Sequence, residues 1–530
     1  MKKLSIILIG FTLFFSTSCE KGFEELNENP FFPTQTDIGP LFNTVVESIQ
    51  LGWNEQFYLH NETLYGLTQQ AALTAATFQN ISIGTEEMWT QYYMALAHIR
   101  EIESRLVEME EEVEAEALNN VRGMLKIMTA YKTFRVTDLF GDIPFFDAGK
   151  GYQDLDFARP TFDRQEDIYK FLLDELKWAA DNININPNPT TEAGTAYVSI
   201  NNFDTFFQGD LYRWIKFANS LRLRHALRMS EQNPDFAYPI LAEILEGALP
   251  VIEDGEDVVM SPATQSWERQ SSHWSFREHN KLRMGSTIWG LLSENDETNG
   301  SGIFDPRAYI FFEPNNEDDW VAFPQVPTSD TPASGGTPYG SQRDFNYTIK
   351  GQANIYAPFN YYLIRDERDV PEVILTAAEV HFIKAEAYLR GLGVAMDQAF
   401  AEGEYSVGVV ASLQFWQNVK SNSEIWVNAS ANLSIGELFA VSNHPRLSIF
   451  ETENKLELIY AQRWLDAFRQ PWEAYSLERR TGKTPRTGDA LNHFRFPYPP
   501  SETIDNPDNW AAQVGLMGSD EEEVKVWWMP

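Results

Sequence analysis

Three stretches of this 530-residue chain set flat aromatic rings beside amide, carboxylate and guanidinium groups. In "TFQNIS", Phe78 stands next to Gln79 and Asn80. In "QSWERQSSHWSFREHN" (265–280), Trp267 and Trp274 are interleaved with Glu268, Arg269 and Gln270. "NNEDDW" ends in Trp320, and Tyr339 and Tyr347 follow in a stretch rich in Gly, Ser and Thr. This mixture suits non-covalent recognition of a sugar, whose C–H face packs on an aromatic ring. The hydroxyls around its edge then exchange hydrogen bonds with Asn, Gln, Asp or Arg. The candidate ligand-binding residues are Phe78, Gln79, Asn80, Trp267, Arg269, Trp274, Trp320 and Tyr339, with Trp267 and Trp274 foremost. Each aromatic has an alternative role, as the core anchor of a long loop. Trp89, Trp214, Trp464 and Trp472 fall on helix faces and are assigned to packing.

Covalent chemistry finds little support. Nothing resembles a nucleophile elbow or a phosphate-binding loop, and "SGGTPYG" lacks the Lys-Ser/Thr pair that such a loop needs. Acidic residues are abundant, but sequence spacing cannot place two carboxylates across a glycosidic bond. "HWSFREH" is not HExxH: the six-residue gap from His273 to His279 turns the imidazoles to different sides of a helix. His225 and His381 lie within helical patterns and are read as hydrogen-bonded packing residues. The acidic tracts Asn315–Asp319 and Ser519–Glu523 have oxygen ligands for Ca²⁺ but match no EF-hand loop, and a solvated acidic face is the preferred reading. No cofactor is expected.

The formal net charge of −36 argues against nucleic acid or anionic head groups as partners. The single cysteine, Cys19, excludes an internal disulfide and a thiolate metal cage. Before it stand Lys2 and Lys3, an apolar run from Leu4 to Phe15 too short to span a bilayer, and the small residues Ser16, Thr17 and Ser18. This is the layout of a bacterial secretory signal ending in a lipobox. Residues 1–18 read as signal peptide and Cys19 as the lipidated N-terminus, with an ordinary signal peptide as the alternative. Two or three acyl chains, at about 0.8 kcal/mol per buried CH₂, would anchor the chain stably.

The elements that must carry the candidate residues are mostly helical. Residues 19–40 read as a tether and 41–530 as one domain. Apolar residues at Val121, Met124, Leu125, Met128, Tyr131 and Phe134 form one helix face, with Gly141 as C-cap and Pro144 preventing continuation. Thr376 and Glu379 have capping-box spacing, Gly391 closes that helix, and Ala385 and Ala387 allow a close neighbour. Pro471 breaks the helix begun near 452. Four hairpins are expected, pairing 88–109 with 118–140, 165–183 with 209–230, 374–390 with 402–420, and 452–469 with 472–481. They predict an all-α-dominated, tetratricopeptide-like scaffold interrupted by a loop-rich insertion over about 250–370.

Seven stretches in order, "CEKGFEELNENP", "RVTDLFGDIPFF", "RPTFDRQEDIYKFLLDEL", "GDLYRWIKFANSLRLRHALRMS", "VILTAAEVHFIKAEAYLRG", "AQRWLDAFRQPWEAYSLERRTG" and "FRFPYPPSE", resemble the SusD/RagB family of nutrient-binding outer-membrane lipoproteins from Bacteroidetes. The resemblance spans almost the whole chain. It implies a surface-exposed, non-enzymatic lipoprotein on a tetratricopeptide-like scaffold, lying as a lid over a SusC-like TonB-dependent barrel. Glu20, Glu24 and Glu25 are similar to the export signals of such lipoproteins. The implied ligand is an oligo- or polysaccharide, a laminarin-type β-glucan being one guess, with a peptide as the alternative. A third reading is a purely structural lid.

Overall fold

The helix expected over 118–140 is the hub of the first half of the molecule, α3 (Asn119–Phe140). The computed structural model describes residues 38–75, 80–111, 114–187, 201–260, 281–335, 354–360, 371–421 and 432–530. The sequence shows one apolar face on α3, yet the structure buries it all round, including Lys132, Thr133, Thr137 and Asp138. Its neighbours explain this. α1 (Ile38–Glu47), α2 (Ile81–Met109), α4 (Gln165–Asn182) and α5 (Leu211–Met229) all pack against it. Asp210 starts α5 by accepting from the backbone N–H groups of Tyr212 and Arg213, both at 3.1 Å. α6 (Pro234–Leu245) returns against α5.

The second half repeats the design. α8 (Ala377–Arg390) pairs with α9 (Gln398–Ser421), and α11 (Lys455–Asp466) leads through a 3₁₀ turn into α12 (Pro471–Thr481). The short helices α7 (Ser286–Leu292) and α10 (Ile435–Ser442) fill in before α8 and after α9. Pro471 takes the first position of α12, where its missing N–H costs nothing. Gly391 ends α8 at φ +71°, a left-handed conformation that glycine adopts without strain. Thr376 caps α8 through the Glu379 N–H at 3.1 Å, but the Glu379 side chain does not complete the capping box. It turns inward to Arg224 of α5 and to Arg463 of α11, the latter at 2.8 Å. α8 packs on α5 and α11, so the four expected hairpins join into one run of helices. Near the C-terminus, α13 (Pro500–Asp505) passes beside α2, and α14 (Pro507–Met517) packs on α13.

Two hydrophobic cores result, one around α1–α6 and one around α8–α12 with the described parts of the insertion. Trp89, Trp214, Trp464 and Trp472 are all buried in them, as packing residues. Charge runs through both. Asp138 accepts from Tyr169, Arg228 and the Trp528 indole, and Glu386 takes donors from Arg480, Arg390 and Tyr460. His225 is stacked on Phe134 at 3.7 Å between ring centres. Burial and the adjacent Arg228 and Arg224 hold its pKa well below that of an ordinary imidazole, so it is neutral.

The described strands form two small two-stranded sheets. β1 (Ala72–Leu73) pairs antiparallel with β3 (Leu282–Arg283), and β2 (Val258–Met260) with β4 (Glu372–Leu375). Among the described residues, no helix is long and apolar enough to cross a membrane.

Candidate functional site

The β1–β3 ladder joins described residues that flank two of the candidate stretches. Ala72 faces Arg283 and Leu73 faces Leu282, and beyond them the Thr74 N–H donates to the Lys281 carbonyl at 3.1 Å. Thr74 lies two residues before the 76–79 segment, and Lys281 directly follows the 261–280 segment. A third stretch ends here as well. Arg283, which is buried, donates through Nε to Asn354 Oδ1 at 3.0 Å, and Asn354 follows directly on 336–353. The preceding end of that segment is close by in turn, since Ile355 N–H donates to the Ser334 carbonyl at 3.2 Å. At least one described flank of each stretch is therefore tied to one short ladder.

A strained turn fixes this ladder. Gln69, just before β1, has φ +59°, unusual for a residue with a side chain. Its amide donates to the Thr487 carbonyl at 2.8 Å and accepts from Thr287 Oγ1 at 2.8 Å and Thr487 N–H at 2.7 Å. These contacts come from α7 and from the segment after α12, so the second half of the fold holds the turn.

Beside the ladder runs a π-helix, Glu55–Leu64, linked to it by Lys281 Nζ donating to Glu62 Oε1 at 2.5 Å. One side of this helix is buried. His60 lies against Trp472, and burial with Arg135 and Arg469 holds it well below the usual imidazole range. Burial also raises the Glu55 carboxyl despite its ion pair with Arg135. The other side is half-buried and aromatic. Trp53 stacks on Phe57 at 4.7 Å and 9°, and Tyr58 meets Phe57 edge-on at 5.0 Å. The start of α2 locks this platform. Glu87 accepts from the Glu55 N–H at 2.7 Å and from Asn54 Nδ2 at 3.3 Å, crossing Gly52, where a Cβ would stand 2.1 Å from its Oε2. Any side chain at 52 would displace that carboxylate.

Of the candidates read from sequence, Phe78, Gln79, Trp267, Arg269, Trp274 and Tyr339 lie outside the described residues, as do Tyr347, His273, His279 and Cys19. Asn80 is described: it is the exposed residue before α2, with no side-chain capping bond. Trp320 is buried, 7% exposed, with its ring parallel to Trp289 at 6.1 Å and edge-on to Tyr309 at 5.5 Å. It therefore occupies the core-anchor role, with little ring surface to offer a ligand. Asn315 folds its tract into a turn by accepting from the Glu317 and Asp319 N–H groups. Asp520 accepts from Arg495 at 2.6 Å and from Trp510 at 3.2 Å. Among the described residues, no group of three or more His, Cys, Asp or Glu is placed to hold a metal ion.

The Trp53–Phe57–Tyr58 platform was not among the sequence candidates. The signal was present: "GWNEQFYLHN" mixes aromatics with Asn54, Gln56 and Asn61, by the criterion that selected the other stretches.

Comparison with known proteins agrees with this architecture. Residues 30–497 match the SusD-like family described as starch-binding and associating with the outer membrane, and the chain belongs to that family. No curated protein sequence matched it. Among solved structures it is similar to a chitin-binding protein, with 21% identity and a TM-score of 0.70 over 93% of this chain and 100% of that one. A SusD homologue from Parabacteroides distasonis has 20% identity and a TM-score of 0.68 over 93% and 98% of the two chains. A chitin-binding SusD homologue from Flavobacterium johnsoniae has 18% identity and a TM-score of 0.59 over 93% and 98%.

Proposed function

We propose that this protein is a surface-exposed lipoprotein that captures a glycan without catalysis and delivers it to a SusC-like TonB-dependent transporter. The observation that carries the reading is the half-buried aromatic platform of Trp53, Phe57 and Tyr58 beside the β1–β3 ladder, to which a described flank of each of three candidate sugar-binding stretches is tied. Aromatic faces fixed on a rigid scaffold suit sugar C–H surfaces, while amides and Arg269 suit the hydroxyls. Two structural neighbours named as chitin-binding support a glycan over a peptide. Phe78, Gln79, Asn80, Trp267, Arg269, Trp274 and Tyr339 would complete the site, and lipid on Cys19 would hold the protein at the outer membrane.

The test is native affinity electrophoresis of the chain from Glu20 onward, which contains every described element, through gels carrying plant, algal and fungal glycans. Retardation by a polysaccharide is the expected result. No retardation by any glycan, together with binding of a peptide library, would replace this reading with peptide capture.

A further inference from the structure

The N-terminal half of α2 separates two clefts that meet over one side chain. The first, about 460 Å³, lies between α1 and α2 and is bounded by Glu47, Gln50, Trp53, Glu87 and Gln91. The second, about 520 Å³, lies between α2, the 144–160 segment and α13, and is bounded by Trp89, Tyr93, Phe157, Glu86 and Glu502. Met94 lines both and is 60% exposed, an apolar side chain shared by the two. Each volume lies in the range of ordinary ligand sites, roughly 300–1,000 Å³.

We propose that this double cleft is a saccharide trough, continuous with the platform at Trp53, that takes an uncharged glycan chain and rejects sulfated or uronic acid polymers. The proposal rests on the glycan reading above and adds the path of the chain and its charge class.

Apolar surface for sugar C–H groups is spaced along the trough at Trp53, Met94, Tyr93 and Phe157. Hydrogen-bond acceptors alternate with it, and the protein holds them in place. Glu87 is fixed by the Glu55 N–H, Glu502 by the Trp89 indole at 3.0 Å, and Glu86 by the Ser501 N–H at 3.2 Å. A carboxylate offers about four lone-pair sites, so each keeps acceptor capacity for hydroxyl donors. Among the described residues, neither cleft is lined by a lysine or arginine, whereas Glu47, Glu86, Glu87, Glu502 and Asp505 all line them. Lys132 and Arg135 line a small cavity behind the first cleft, but they are engaged there, Lys132 with the Ser48 carbonyl and Arg135 with Glu55. An anionic polymer would meet carboxylates along the path with no lysine or arginine among the described lining to compensate, His98 being the one imidazole there.

The test is calorimetric titration of the chain from Glu20 onward with amylose, laminarin and chitin oligosaccharides as neutral probes, and with alginate and heparin as anionic ones. Met94→Asp is the variant, because an exposed helix position changes without disturbing the core; its melting temperature is checked alongside. A neutral chain is expected to bind, the anionic ones not, and Met94→Asp is expected to weaken the neutral chain at least fivefold while a disaccharide of the same sugar is unaffected. If a neutral glycan binds equally to both proteins, the trough is wrong and the glycan reading stands. Binding of alginate or heparin that Met94→Asp weakens overturns the charge class. If no glycan binds at all, the reading beneath the proposal fails and the trough falls with it.

Discussion

Replacing Glu386 with Gln tests whether the ions inside this scaffold hold it together. Glu386 of α8 is fully buried. Its Oε1 accepts from Arg480 of α12 at 2.7 Å, from Arg390 at 2.9 Å and from the Tyr460 hydroxyl of α11 at 2.9 Å, and its Oε2 accepts from Arg480 at 2.6 Å. Burial works to raise the carboxyl pKa, but Arg480 and then Arg390 outweigh it and leave it at about 2 against an ordinary 4.5. At about 1.4 kcal/mol per unit of pH, that gap corresponds to about 3 kcal/mol of stability. Removing one member of a buried pair typically costs about 3–5 kcal/mol, which agrees. Glu386→Gln keeps the shape, removes the charge and leaves two guanidinium groups sharing one carbonyl. Urea unfolding at pH 7 should show a loss of about 3–4 kcal/mol with little change in the denaturant slope. The sign with pH follows from a depressed folded-state pKa. The contribution is complete above 4.5 and is lost as pH falls toward 2, so the gap between wild type and variant should close over that window. A loss below about 1 kcal/mol at pH 7, or a gap unchanged at pH 3, would refute the reasoning.

Trp320→Ala should cost about 3–5 kcal/mol because it empties a core position. Trp267→Ala and Trp274→Ala should instead weaken glycan binding with little change in melting temperature; a large melting loss would mark them as core. Cys19→Ala should move the protein from the membrane fraction to the soluble one, and continued membrane association without the partner barrel would sink the anchor. His381 lies between Glu404 at 2.6 Å and Asp254 at 3.1 Å, and although burial opposes its charge, those two carboxylates raise its pKa above 6.5. Its contribution, about 1 kcal/mol, should be complete below pH 6.5 and vanish as pH rises through the raised value. Chemical denaturation of His381→Gln at pH 5.5 and pH 9 should show that gap only at the lower pH.

The helices that carry the fold were legible because each has a local cause. Thr376 caps α8, Pro471 opens α12 and Gly391 ends α8, and all three effects act within one turn of the residue. What stayed hidden depends on distant partners. "EQFYLHNETL" has the polarity of a loop, yet Glu55, His60 and Asn61 are buried in the π-helix because Arg135 and Trp472 lie against it. Arg224 and Arg228 sit among charged residues in sequence, and their partners Glu379 and Glu473 are more than 150 residues away. The β1–β3 ladder is two residues long and joins strands about 210 apart, so no periodicity announces it. For the site, the residue types could be read, and Trp320 shows what could not: a tryptophan in a polar loop becomes a core residue once Trp289 covers its ring.

The inward-turned arginines also shape the outside of the molecule. Among the described residues, thirteen of the chain's 41 lysines and arginines are buried, against ten of its 77 acidic residues. That buried set is net positive, so the remaining residues together carry a larger negative excess than the chain's formal −36. Two copies approaching within the screening distance, about 8 Å at physiological ionic strength, meet mutual repulsion. Crowded on one surface, such molecules would space themselves apart without any built contact between them. A lasting contact with another protein would be favoured by cations supplied from the partner's side.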